Sequence, residues 1–361
     1  MMKVMSIFGT RPEMIKLWST LRRLDELNFE HIMVHTGQNF TPELKDFFFR
    51  DLNLRQPDHY LEIDTSSYGK EVADVIAKTD ALMVHTKPDA LVILGDTYSG
   101  LAVMPAAHRG VRTFHMEAGL RAWDARMPEQ RNRMLIDHMS DILLPFNRYH
   151  RENLIREGIH PSKIFVSGNP SFEVIRAFLP QIEASTILTA LGSAAQGYVL
   201  VTAHRSENVD QPAYLAAIIE ALGELHRKFG REVIYPMHPR TKSKIGGISI
   251  PKGVKIIAPL GFYDFNHLLM NAWCILSDSG TAPEEALFYR VPCVSLRMTT
   301  ERPETVEGGG HIVAGLRPQD IVDAVETAVS APYAARYDLE EDFSPSAVVV
   351  NCIRSRITNF F

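Results

Sequence analysis

The sequence is poor in cysteine, lacks any long apolar run, and carries no excess of positive charge. Cys274, Cys293 and Cys352 are its three cysteines in 361 residues, all in apolar surroundings and without metal-ligand spacing. A disulfide framework and a thiolate metal site are excluded, and inert core thiols in a reducing compartment are expected. No segment approaches the ~20 apolar residues of a membrane span. The opening run Met1-Met2-Lys3-Val4-Met5-Ser6-Ile7-Phe8 is too short for a signal peptide and reads as a first buried strand. A cytoplasmic protein without a membrane partner is therefore expected. With 38 Lys+Arg against 43 Asp+Glu the net charge is -5, which supplies no basic field for nucleic acid. Any bound anion must be held by a local cluster. No Walker lysine loop, zinc pattern or Ser-His-Asp signature stands out. The three-glycine dinucleotide fingerprint follows neither first strand, which argues against a tightly bound nicotinamide. No cofactor and no metal are expected.

What is present fits a globular enzyme with a full core: 45% apolar and 22% charged residues. The length exceeds what one core usually supports, so two domains are expected. Short apolar runs alternate with helical spacing throughout. Lys3–Phe8, Phe29–His35, Ala90–Leu94, Arg112–Met116, Asp141–Pro145 and Ile164–Ser167 read as strands. Pro12–Leu27, Glu43–Phe49, Lys70–His85, Glu129–Met139 and Arg148–Glu157 read as helices between them. The second half repeats the scheme with strands at Tyr198–Thr202, Glu232–Met237, Val254–Ile257, Cys274–Ser277 and Cys293–Leu296. Its helices are expected at Pro212–Phe229, Tyr263–Met270, Pro283–Tyr289 and Pro318–Val329. Such alternation predicts an α/β protein of two Rossmann-like domains with parallel sheets, facing a shared cleft. The joint is expected at Gly168-Asn169-Pro170, giving domains 1–168 and 169–345. The stretch Glu183–Gln196 reads as irregular, and a terminal helix over 346–361 is expected to pack back on the first domain.

Acids stand just past strands of the first domain. Leu91-Val92-Ile93-Leu94 runs into Gly95-Asp96-Thr97, and Thr113-Phe114-His115-Met116 runs into Glu117-Ala118-Gly119, while Pro128-Glu129 opens the next helix. Ligands of open parallel sheets bind beyond the carboxyl ends of the strands. Asp96 and Glu117 are therefore expected side by side, where neighbouring acids push each other's proton affinities apart and can divide the roles of base and acid. Gly9-Thr10-Arg11-Pro12, after the first strand, is either an anion site made of backbone N–H groups and Arg11 or a plain strand-to-helix turn.

The second domain offers three polar loops at strand ends. Ala203-His204-Arg205 is a candidate for phosphate binding or proton transfer, against the alternative of a salt-bridged loop. His238 and Arg240 sit in a loop as well suited to solvent as to a ligand. Ser277-Asp278-Ser279-Gly280 leads into a helix whose amides are candidates for a pyrophosphate, with Glu285 a candidate for ribose hydroxyls. Asp278 or Ser279 serving only as a helix cap is the competing reading. Arg302, in Thr300-Glu301-Arg302-Pro303-Glu304, is either a rigid loop cation or part of a solvated turn. Phe262, Tyr263 and Phe265 read first as core, with one of them a candidate to stack on a base.

In order and spacing, these segments resemble the non-hydrolysing UDP-N-acetylglucosamine 2-epimerase family. The resemblance rests on Phe8-Gly9-Thr10-Arg11-Pro12-Glu13, Gly95-Asp96-Thr97, His115-Met116-Glu117-Ala118-Gly119-Leu120-Arg121, Pro128-Glu129, Asn132-Arg133, Ala203-His204-Arg205, Ser277-Asp278-Ser279-Gly280 and Thr300-Glu301-Arg302-Pro303-Glu304. It implies a glycosyltransferase-B fold and, with it, a UDP-sugar as partner; a homodimer is also expected. It places Asp96, Glu117, Glu129 and His204 at catalytic positions. Arg11, His204, Arg205, His238, Phe265, Ser279, Gly280, Glu285 and Arg302 fall to the UDP site. The implied reaction loses UDP across C1–C2 to give a 2-acetamidoglucal and re-adds it with C2 reprotonated on the other face. Glu117 and Glu129 are expected to move the protons while Asp96 orients them.

Two departures concern the sugar. Gln130 stands where members acting on UDP-N-acetylglucosamine commonly have a second Glu, and Thr36-Gly37-Gln38-Asn39-Phe40 replaces their activator-binding Gln-His-Arg-Glu type loop. That loop, with Phe114-His115-Met116 and Asp137–Asp141, is more similar to a branch forming UDP-N-acetyl-L-fucosamine, whereas Leu120 agrees with the general family. A hydrolysing epimerase, a glycosyltransferase of the same fold and a non-catalytic nucleotide-sugar sensor are the rival functions. An epimerase needs no acceptor, and a sensor has no need to keep Glu117 and Glu129.

Overall fold

The computed structural model describes residues 1–38, 49, 51–124, 127–330 and 343–355. Two six-stranded sheets hold two compact units, Met1–Arg176 with the C-terminal segment from Glu341, and Ala177–Glu340. In the first unit β1 (Met2–Phe8), β2 (Phe29–His35), β3 (His59–Tyr60), β4 (Ala90–Leu94), β5 (Arg112–Met116) and β6 (Ile142–Leu144) pair in the order β3-β2-β1-β4-β5-β6. In the second, β7 (Tyr198–Thr202), β8 (Glu232–Pro236), β9 (Val254–Ile257), β10 (Cys274–Ser277), β11 (Cys293–Ser295) and β12 (His311–Val313) pair as β12-β11-β10-β7-β8-β9. All the pairings are parallel. Both orders are the doubly wound Rossmann order, with the direction of winding reversing between β1 and β4 and between β7 and β10. The expected α/β architecture of two Rossmann-like domains is therefore the observed one.

The uninterrupted apolar runs are explained by burial on both faces. Val199 and Val201 of β7 face Leu215, Ile219 and Leu222 of helix Pro212–Phe229. Their neighbours Tyr198 and Leu200 point the other way, against Leu268, Leu269 and Ala286. In the first unit Met5, Ile7, Leu91 and Ile93 pack with Val75 and Met83 of helix Tyr68–Thr86.

Four differences from the sequence reading have simple causes. Edge strands β3 and β12 are two and three residues long, too short to show a period. Ile164–Ser167 runs beside β6, donating from Phe165 N to Leu143 O (2.9 Å) and from Ser167 N to Pro145 O (2.8 Å), yet only Ile164 forms a bridge. Glu183–Gln196 is not irregular: helix Ile187–Leu191 lays Ile187, Leu188 and Leu191 on the second unit's core. The expected joint at Gly168-Asn169-Pro170 lies inside the first unit, because helix Pro170–Ala177 is tied there. Its Glu173 accepts from Ser344 Oγ and Ser346 Oγ, both at 2.7 Å.

The helix Pro345–Arg354 lies on helix Arg11–Glu26. Arg23 Nε donates to Ser346 Oγ (2.9 Å), and the Arg354 guanidinium sits over the Phe29 ring, 3.9 Å from its centroid. The rest of the expected terminal helix, 356–361, lies outside the described residues. So do all but Phe49 of the helix expected at Glu43–Phe49, and Asn39 and Phe40 of the loop after β2. Among the described residues, no single helix is long and apolar enough to cross a membrane.

Candidate active site

The first unit gathers its acids at the turns after β4 and β5. Leu94 is in register with Met116, so the two turns leave the sheet side by side. A Cβ on Gly95 would stand 3.8 Å from Glu117 Oε1, which fixes how near that carboxylate lies to the Gly95-Asp96 turn. Asp96 and Glu117 thus come together as expected, but not as a bare carboxylate pair. Lys16, buried on helix Arg11–Glu26, forms an ion pair with Glu117, and Arg133 of helix Pro128–Met139 forms one with Asp96. Each acid carries its own cation. Glu117 has φ +65°, a left-handed conformation that costs a non-glycine residue about 1–2 kcal/mol and persists only where neighbours over-determine it. Glu129 stands in the first turn of helix Pro128–Met139, half-buried.

The turn after β1 differs from its expected anion site. Glu13 is 2% exposed, and its Oε2 accepts from Gly9 N (3.1 Å) and Thr10 N (2.8 Å). Its Oε1 accepts from Thr97 Oγ1 (2.8 Å) and Ser99 Oγ (2.5 Å). The backbone donors expected to receive an anion are thus taken by the chain's own carboxylate, which ties the β1 turn to the β4 turn. Burial pushes the Glu13 carboxyl above its ordinary value against the downward pull of these hydrogen bonds. Arg11 remains exposed at the helix start.

In the second unit Asp278 plays the tying role. Fully buried at the end of β10, it accepts from His204 N (3.0 Å), Arg205 N (2.9 Å) and Asn208 Nδ2 (3.1 Å). The loop after β7 is thereby pinned across the switch point, with the His204 side chain half in solvent. Asp278 caps its neighbour's loop, not its own helix. Ser279 N bonds to Ser277 Oγ (2.9 Å) and Thr281 N to Ser279 Oγ (3.3 Å), so part of the expected pyrophosphate cradle is engaged internally. Gly280 has no room for a side chain: a Cβ would lie 2.7 Å from Glu301 Oε1. His238 is exposed, Glu285 is half-buried in helix Ala282–Tyr289, and Phe265 is half-buried against the core.

Arg302 departs furthest from expectation. Its side chain is 2% exposed and its Nε meets Glu284 Oε1 at 2.6 Å, with Glu284 equally buried. This ion pair joins the loop to helix Ala282–Tyr289. Nearby His311 bonds Ser295 Oγ (2.5 Å) and Thr305 Oγ1 (2.8 Å), and burial, aided by Arg297, pushes its imidazole down from 6.5 to about 4. Above pH 6.5 both folded and unfolded His311 are neutral and its contribution is complete. Below that pH the unfolded state takes up a proton that the folded state refuses until about pH 4, so stability falls across this window. Between pH 7 and 4.5 the wild type should lose roughly 2–3 kcal/mol more than His311→Gln in urea unfolding. Equal pH dependence in the two proteins would show that folded His311 does take the proton.

With this geometry in place, comparison with known proteins is decisive. The sequence model of the UDP-N-acetylglucosamine 2-epimerase family matches residues 22–345. The chain belongs to this family. A UDP-N-acetylglucosamine 2-epimerase of Methanocaldococcus jannaschii is 37% identical over 335 residues, 90% of this chain and 92% of that protein. The crystal structure of a 2-epimerase from the same organism, in complex with UDP-GlcNAc and UDP, superposes with a TM-score of 0.89 at 34% identity, covering 98% of this chain and 99% of that one. A UDP-2,3-diacetamido-2,3-dideoxy-D-glucuronate 2-epimerase of Pseudomonas aeruginosa is 34% identical over 91% of this chain and 92% of that protein. A glycosyltransferase structure 11% identical, with a TM-score of 0.62, shares the fold alone. The 2-epimerase family is one of isomerases, and the chain is an enzyme of that type.

Within this enzyme, the sequence reading left out Lys16 and the contacts of Glu13 and Arg133. One signal was available: Lys16 interrupts the buried stripe of Met14, Leu17 and Leu21, where an unpaired ammonium would be costly. Gln130 proves to have a backbone task. It is buried, and its Oε1 accepts from Ala122 N (3.0 Å), as a glutamate oxygen would. The side chain at this position therefore holds the loop at Ala122.

Proposed function

We propose that this enzyme 2-epimerises a UDP-2-acetamido sugar, interconverting UDP-N-acetylglucosamine and UDP-N-acetylmannosamine without net hydrolysis. The observation that carries this is the pair of acid-bearing turns after β4 and β5, each acid held by a buried cation. In the proposed course a carboxylate takes the C2 proton, the C–H electron pair becomes the C1=C2 bond, and the C1–O bond breaks so that UDP leaves with its electrons. The 2-acetamidoglucal then re-adds UDP while an acid protonates C2 on the opposite face. Glu117 and Glu129 are assigned the proton transfers, and Asp96 with Arg133 orients the site. His204, Arg205, Ser279, Gly280, Glu285, His238 and Phe265, together with Arg11, are assigned to UDP. Charge on the departing pyrophosphate needs cationic and N–H donors at that moment. Arg302 acts on this site through the loop it anchors.

The relative from Pseudomonas aeruginosa favours keeping other 2-acetamido sugars in the test, since it is named for a diacetamido uronate at nearly the same identity as the N-acetylglucosamine enzyme. The protein should be incubated in deuterium oxide with UDP-N-acetylglucosamine, the 2,3-diacetamido uronate or the UDP-L-talo sugar alone, and followed by proton NMR. The expected result is an equilibrium mixture of the two C2 epimers from UDP-N-acetylglucosamine, with deuterium at C2 and no free sugar. Free N-acetylmannosamine with stoichiometric UDP would mean a hydrolysing enzyme. No reaction until an acceptor is added would mean a glycosyltransferase. Turnover of another sugar alone would retain the chemistry and reassign the substrate.

A further inference from the structure

We propose that the buried Asp137–His115 pair is a positioning device for the reaction above, locking the Asp96-bearing turn and the Glu117-bearing turn to each other. This inference rests on the proposed epimerase reading. His115 is fully buried on β5, two residues before Glu117. Its Nδ1 lies 2.8 Å from Asp137 Oδ1, and its Nε2 lies 2.8 Å from the carbonyl oxygen of Gly95. A carbonyl and a carboxylate only accept, so Nε2 donates to Gly95 and Nδ1 donates to Asp137. The other Asp137 oxygen accepts from Gly119 N (3.1 Å) and Arg121 Nη2 (2.7 Å). Asp137 thus reaches one acid-bearing turn through Gly119 and the other through His115 and Gly95.

An ordinary core histidine would satisfy whatever polar groups lay nearby. Here the bonds to Gly95 and Gly119 end beside Asp96, assigned to orient the site, and Glu117, assigned to a proton transfer. Gly95 immediately precedes Asp96, and Gly119 follows Glu117 by two. Gly95 (φ +76°), Glu117 (φ +65°) and Gly119 (φ +80°) are all left-handed, and such conformations persist when surrounding contacts over-determine them. Asp137 is itself anchored from behind, since Arg121 also donates through Nε to Glu157 Oε1 at 2.7 Å. Reacting groups misplaced by about 1 Å lose on the order of 10²-fold in rate, so a rigid brace between the turns has catalytic value beyond stability.

The two ring nitrogens can be tested separately. His115→Gln keeps a donor near the Nε2 position for Gly95 and gives up Asp137. His115→Asn keeps a donor for Asp137 and releases the Gly95 carbonyl. The positioning role predicts that His115→Asn and Asp137→Asn lose about 10²-fold in kcat, with KM and UDP affinity within twofold of wild type. His115→Gln, which severs the link to Asp137, should lose a comparable amount. Unimpaired kcat in either His115 variant, or parallel losses of kcat and UDP affinity, would overturn the proposal, as would failure of both His115 variants to fold. Wild-type turnover is measured in the same assay. An inactive wild type refutes the epimerase reading, whereas an active wild type with unimpaired His115→Asn and Asp137→Asn refutes this inference.

Discussion

Glu117→Gln should lower turnover by about 10²–10⁴-fold, the range for removing a positioned general acid or base, while UDP affinity stays near wild type. The amide keeps the shape of the carboxylate and leaves an oxygen to accept from Lys16, but it cannot take up a proton from carbon. The carboxylate lies beside the Gly95-Asp96 turn in the first unit, and the proposed UDP contacts are largely residues of the second, so binding and chemistry should separate. Loss of charge against the buried Lys16 ammonium lowers stability as well, so rates should be compared well below the unfolding temperature. Residual turnover should still deposit deuterium at C2, because the partner acid remains. Activity within tenfold of wild type would transfer the proton role to Glu129 or Asp96. Turnover and UDP affinity falling together would show that the Lys16–Glu117 pair chiefly holds the fold.

Both units solve one structural problem in the same way. Where the winding of a doubly wound sheet reverses, the loops after the two central strands diverge and leave backbone N–H groups without strand partners. A buried carboxylate joins the two loops in each case, taking N–H donors from one of them. Glu13 serves Gly9, Thr10, Thr97 and Ser99 beyond β1 and β4, and Asp278 serves His204, Arg205 and Asn208 beyond β10 and β7. Asp278, which reads in sequence as a candidate helix cap, and Glu13, which has no separate reading there, thereby preorganise these loops.

The sequence displayed what periodicity and strand-end position can display. Runs such as Ala90–Leu94 and Tyr198–Thr202 are buried on both faces and almost wholly apolar, and their boundaries coincide with the observed strands. Asp96, Glu117 and the Ser277–Gly280 loop are legible as candidates because parallel strands deliver their carboxyl ends to one edge. What stayed hidden depends on contacts distant in the chain. Nothing local marks Lys16 as the partner of a carboxylate 101 residues away, or Arg133 as the partner of Asp96. The left-handed backbone of Glu117 is imposed by its surroundings and has no residue signature. Edge strands β3 and β12 are held by a neighbour's backbone and not by any pattern of their own.

Arg302→Ala tests the most consequential of these hidden contacts. As a loop cation on the pyrophosphate, its loss would remove about 1.5–3 kcal/mol of UDP affinity, the scale of a hydrogen bond to a charged group, and leave stability alone. The observed pair reverses that order. Arg302 and Glu284 are each 2% exposed, and removing one member of a buried ion pair costs about 3–5 kcal/mol because the remaining charge stays in the core. Urea unfolding of Arg302→Ala should therefore show a loss of that size. UDP affinity, measured where the variant is fully folded, should change less than stability does. Replacing both partners in Arg302→Met with Glu284→Gln should recover much of the loss, since the stranded charge is gone. A stable Arg302→Ala protein with weakened UDP binding would return the guanidinium to the ligand and show the pair with Glu284 to be energetically minor.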